Sequence, residues 1–99
     1  MAYVTAITCD PGESVDIELV GLVRSATGAS VTWDSVAYSL ANSAGTEVGT
    51  GTLTEDATTA DTWRAECIAP VTEGAYTITV TVEVGSTTGI FKGTMRVKA

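Results

Sequence analysis

Few residues in this chain are equipped for chemistry. Cys9 and Cys67 are its two thiols, Glu55, Asp56 and Asp61 gather three carboxylates in the segment LTEDATTADTW, and Lys92, Arg96 and Lys98 place three cations near the end. Histidine is absent, which removes the commonest general base, nucleophile partner and transition-metal ligand. Serines and threonines abound, but a hydroxyl nucleophile needs an adjacent base, and neither S-x-x-K nor G-x-S-x-G occurs. The sequence therefore predicts a protein that is not an enzyme and has no cofactor.

Each grouping has a chemical and a plainer reading. The carboxylates of Glu55, Asp56 and Asp61 are hard oxygen ligands that would suit calcium if the chain curled around them. Their spacing departs from the D-x-D-x-D-G pattern of an EF-hand loop, and a solvated acidic loop is the plainer reading. Cys9 and Cys67 lie in different predicted strands, each in phase with apolar neighbours. They are either a bridge between two sheets or two buried thiols acting as small hydrophobes. Lys92, Thr94, Arg96 and Lys98 alternate along the last strand, so they share one outward face. That basic stripe either protects a strand edge or docks onto an acidic surface, such as a neighbouring copy of the same protein. Trp33, beside Asp34, is the candidate exposed interface anchor, whereas Trp63 falls in core phase.

The elements that must position these residues are strands. Eighteen threonines and twelve valines supply branched side chains, which suit a pleated surface better than a helix. Tyr3, Thr5, Ile7 and Cys9 alternate onto one face of a first strand that ends at the Asp10-Pro11-Gly12 turn. Val15, Ile17, Leu19, Gly21 and Val23 oppose Asp16 and Glu18 in a second. Val36, Tyr38 and Leu40 alternate before the NSAG turn, and the following TEVGTGTLTE is a glycine-interrupted strand, which signals an edge, a bulge or a close backbone approach. Trp63, Ala65 and Cys67 face inward against Arg64 and Glu66. Tyr76, Ile78, Val80, Val82 and Val84 form an inward row, and GSTTG returns the chain through Phe91, Gly93, Met95 and Val97 as a β-hairpin. The expectation is all-β, an immunoglobulin-like sandwich of about seven to eight antiparallel strands.

The 99 residues fit one domain spanning 1–99, and 44% hydrophobic content is enough for a core. A net charge of −7 argues against a nucleic-acid partner, which needs clustered cations. No stretch approaches the roughly 20 apolar residues of a membrane helix, and the first residues lack the pattern of a secretory signal. With Met1 as a native start, a complete small gene product made in the cytoplasm is expected.

From the Tyr38-x-Leu40 strand, the order of features resembles the small immunoglobulin-like domains of tailed bacteriophage and prophage virion proteins. A glycine turn follows, then a G-x-L-T strand, the Trp63-x-Ala65 strand ending near Ala69-Pro70, and EGAYTITVTV with its closing strand. The likeness covers about two thirds of the chain. It implies a non-catalytic structural role on the capsid, neck or tail of a virion, assembled after synthesis in the bacterial host cytoplasm. Its partners would be other virion proteins, neighbouring copies included, with Trp33, Lys92, Arg96 and Lys98 as contact residues. The alternative is an adhesion or carbohydrate-binding immunoglobulin-like module of a larger bacterial surface protein, which calls for an exposed aromatic platform. A small enzyme or metal-dependent regulator, the third reading, calls for a cleft with convergent polar groups.

Overall fold

A computed structural model describes residues 3–21, 35–55, 62–84 and 87–99. Nine strands and no helix occur among them: β1 (Tyr3–Val4), β2 (Ile7–Cys9), β3 (Ser14–Val20), β4 (Ser35–Ala41), β5 (Glu47–Thr52), β6 (Thr54–Glu55), β7 (Thr62–Ile68), β8 (Gly74–Val84) and β9 (Thr87–Val97). They form two sheets, ordered β1-β3-β7-β6 and β2-β9-β8-β4-β5. The first order matches strands A-B-E-D of an immunoglobulin domain, and the second contains its C-F-G set as β4, β8 and β9. The fold is an immunoglobulin-like β-sandwich.

Between the sheets lies the core predicted from the alternation. Ile17, Leu19, Ile78, Val80 and Met95 are fully buried, and Val36, Tyr38, Leu40, Tyr76, Val82 and Val97 are nearly so. Trp63, Ala65 and Cys67 pack against this cluster from β7. Where β8 begins, the Tyr76 hydroxyl donates to the Thr72 carbonyl at 2.6 Å. This is the tyrosine corner of the fold, which ties the β7–β8 connection to the core.

Three expectations change in detail. The N-terminal run is not one strand but two: β1 pairs antiparallel with β3, while β2 runs parallel to β9. The chain changes sheets at Thr5 and Ala6, and the change shifts the alternation. Val4 is therefore buried and Tyr3 is 56% exposed, the reverse of the expected phase. This split makes one pair parallel. The glycine-interrupted run 46–55 is likewise two strands, β5 in the five-stranded sheet and β6 paired with β7 in the four-stranded one, with Leu53 buried between them, and the two splits together give nine strands. The closing hairpin also turns more tightly than expected, because Val84 already pairs with Thr87 and both Thr87 and Thr88 belong to β9.

Within that glycine-interrupted run, β5 combines an edge, a bulge and a close backbone approach. It ends its sheet, its register with β4 shifts between Leu40 and Ala41, and Gly51 lies against the Tyr38 ring. A Cβ on Gly51 would stand 2.6 Å from Tyr38 Cε1, so a larger residue here would displace the ring.

Candidate functional site

The five-stranded sheet turns one face to the core and leaves the other uncovered among the described residues. On β9 that outward face carries Thr88, Ile90, Lys92, Thr94 and Arg96, all exposed, and Lys98 follows just past the strand end. The Lys98 amide donates to the Cys9 carbonyl at 2.9 Å, which continues the β2–β9 ladder and fixes the backbone at the end of the stripe. The predicted stripe of Lys92, Thr94, Arg96 and Lys98 is thus brought together on one surface.

Register builds cross-strand rows around that stripe. Arg96 lies between Thr8 of β2 and Ala75 of β8. Thr94 faces Thr77, then Ala41 and Glu47; Lys92 faces Thr79, then Ser39 and Thr50; Ile90 faces Thr81, then Ala37 and Thr52. Away from β9 nearly every side chain is threonine, serine or alanine, so the face is flat and rich in hydroxyls. The Ser39 hydroxyl donates to Glu47 Oε1 at 2.9 Å, occupying the carboxylate nearest the β5 edge. Among the described residues, Lys92, Arg96 and Lys98 have no ion-pair partner.

On the opposite side of the sandwich, the four-stranded sheet presents a different outward surface. Asp16 and Glu66 are directly paired across β3 and β7, and both are exposed. One step along, Glu18 and Arg64 form an ion pair at 2.6 Å. Asp16 and Glu66 have no ion-pair partner among the described residues. Alternation in the sequence places each carboxylate outward, but their meeting depends on pairing between strands far apart in the chain.

The two thiols belong to the interior. Cys9 is buried at the end of β2 and Cys67 is half-buried on β7, and both are free. Burial pushes the Cys9 thiol above its ordinary value, with the carboxylates of Glu13 and Asp10 adding to the effect. Burial likewise raises Cys67, helped by Cys9 and Asp16, while a hydrogen bond with Tyr38 pulls partly the other way. The Tyr38 hydroxyl is itself raised, first by burial and then by Cys67. Both thiols are therefore protonated near neutral pH and poor nucleophiles, in keeping with a packing role.

The remaining predicted groups are only partly covered. Glu55 closes β6 at the surface, whereas Asp56, Asp61 and Trp33 lie outside the described residues. Among the described residues no three His, Cys, Asp or Glu side chains stand together as metal donors. A surface groove of about 460 Å³ runs between the β4–β5 turn and the β7–β8 corner, with Val48, Pro70 and Val71 on its walls. Its carboxylate, Glu73, accepts a hydrogen bond from the Ala99 amide at 2.8 Å.

Comparison with known proteins agrees with the architecture. The chain is similar to the crystal structure of CopC from Methylosinus trichosporium OB3b, with a TM-score of 0.57 and 13% identity over 100% of this chain and 97% of that one. A chimeric titin Z1Z2 functionalized with a KLER peptide from decorin aligns with a TM-score of 0.49 and 12% identity, over 98% of this chain and 45% of that one. At such identities the likeness concerns the fold alone, and neither structure is of a phage protein. No family model and no curated protein matches the sequence.

Proposed function

We propose that this chain is a non-catalytic contact protein of a phage or prophage virion, engaging other proteins through the outward face of its five-stranded sheet. The observation that carries the reading is the basic row of Lys92, Arg96 and Lys98 on a flat sheet face, without ion-pair partners among the described residues, in a chain of net charge −7. Edge protection does not account for the whole row. β2 already pairs with β9 at Met95–Val97, so Arg96 stands on a stretch of edge that is covered. Charges on a flat face orient an approaching partner and speed its capture. The virion setting draws on the order of sequence features from Tyr38 to Val97, and fold alone does not supply it.

The adhesion alternative is less well served. Tyr3 is the exposed aromatic residue among those described, and it lies on the four-stranded sheet, away from the hydroxyl-rich face. One exposed ring among the described residues is not a platform.

Density-gradient purification of the particles that carry this gene, followed by quantitative mass spectrometry, tests the proposal. The chain should co-sediment with the particles in many copies and be released as salt rises. Its absence from purified particles, with free protein left at the top of the gradient, would overturn the virion reading.

A further inference from the structure

We infer that the partner met by the basic row is the acidic outward face of a second copy, centred on Asp16 and Glu66. The inference rests on the contact-face reading above and names the occupant of that face.

Three features of the molecule support it. Like charges directly opposite one another on paired strands repel, and Asp16 and Glu66 are such a pair. With Arg64 engaged by Glu18, the pair has no cation of its own among the described residues. A cation from outside would relieve that repulsion. On the other side of the sandwich, Lys92 and Arg96 lack an anion. Alternate residues on a strand stand roughly 6.7 Å apart, so Lys92 and Arg96 are separated by about 13 Å and can flank the facing carboxylates.

Exposed apolar side chains add a second kind of complementarity. Ile90 is 61% exposed beside the basic row, while Ile68 at 64% and Tyr3 at 56% lie on the acidic face. Face-to-face sheet packing would bury these residues along with the charges.

The two surfaces lie on opposite sides of one molecule, so the contact is head-to-tail rather than two-fold. Such a contact builds a ring where its rotation closes and an open stack where it does not. Either outcome places many copies side by side, as a repeated virion component requires. The net charge of −7 opposes random approach, so only the orientation that sets the cationic row against the carboxylate pair is favoured.

Light scattering behind a sizing column tests the inference with the intact chain, at about 20 mM and about 500 mM salt, where screening differs severalfold in range. The wild type should exceed its 10.1 kDa monomer mass as concentration rises at low salt and return to monomer at high salt. Lys92→Glu/Arg96→Glu has two acidic faces and Asp16→Lys/Glu66→Lys has two basic ones, so each alone should be monomeric. Mixed in equal amounts they should associate, because each retains the wild-type face that the other needs. Should Asp16→Lys/Glu66→Lys fail to fold, the milder Asp16→Asn/Glu66→Gln should still weaken low-salt association at least tenfold.

A wild type that is monomeric at every concentration overturns the inference, and so does a mixture that never associates. Low-salt association lost in the Lys92/Arg96 variant but kept in both Asp16/Glu66 variants would overturn the acidic partner and leave the contact face standing. Association indifferent to every substitution would count against both. A monomeric wild type that still sediments with particles would confine the failure to self-contact.

Discussion

The two faces of the five-stranded sheet use the same strands for opposite purposes. Inward from β8 and β9 come Tyr76, Ile78, Val80, Val82, Met95 and Val97, all buried. Outward from the same strands come Thr77, Thr79, Thr81, Lys92, Thr94 and Arg96. The inward set varies in size and interlocks with the second sheet. The outward set is mostly short and hydroxylated, apart from its cationic row, Ile90 and Glu83. Alternation puts the packed residues and the solvent-facing ones of one segment on opposite faces, so each set can be changed with little effect on the other.

The most damaging change to the inward face is Ile78→Ala. Ile78 is fully buried, and truncation there should cost about 2–5 kcal/mol, combining lost transfer energy with an unfilled cavity. Urea unfolding would show an earlier midpoint. A loss under about 1 kcal/mol would mean that the core relaxes around the gap better than a close-packed interior should.

A smaller effect is expected from Gly93→Val. A Cβ at Gly93 would lie 2.7 Å from Val4 Cγ1 and 3.2 Å from the Val4 carbonyl oxygen, so β1 must shift away from β9. Overpacking of this kind costs about 1–3 kcal/mol. Amide exchange should accelerate in β1 before it does in β8, and uniform acceleration would place the strain elsewhere.

Tyr76→Phe removes only the hydroxyl that bonds the Thr72 carbonyl. The expected loss is about 1 kcal/mol, typical of a single hydrogen bond. An unchanged unfolding midpoint would show that the corner is held by packing instead.

Alkaline pH probes the inward thiols. Burial holds Cys9 and Cys67 above the ordinary thiol value of 9.0, so the unfolded chain loses these protons first. Their contribution is complete below about pH 8.5 and declines as pH climbs toward the raised folded-state values. Under reducing conditions the wild type should lose more stability between pH 7 and pH 10 than Cys9→Ala/Cys67→Ala, which should start lower and fall less. Equal slopes would contradict the burial argument.

Most of this division was readable in the alternating pattern. The inward row of β8 and the outward Lys92, Thr94 and Arg96 follow from a period of two, and the glycines of β5 signal its place at the sheet edge, although not the passage to the other sheet at Leu53. The N-terminal run misleads because Val4 and Ile7 belong to different sheets, and no local signal marks the switch at Thr5 and Ala6. The pairing of Asp16 with Glu66 was equally hidden. It depends on β3 and β7 aligning in the one register that seats Ile17 and Leu19 in the core, which neither strand read alone specifies.

On the proposed reading the outward face serves recognition and not folding. The most direct test of that reading supplies wild type and Lys92→Glu/Arg96→Glu to particles lacking the native chain, then compares copies bound per particle with each protein's unfolding midpoint. Near-equal midpoints with the variant missing from the particles would meet the prediction, since surface substitutions away from packed features usually stay within about 0.5 kcal/mol. Equal incorporation of a folded variant would contradict it.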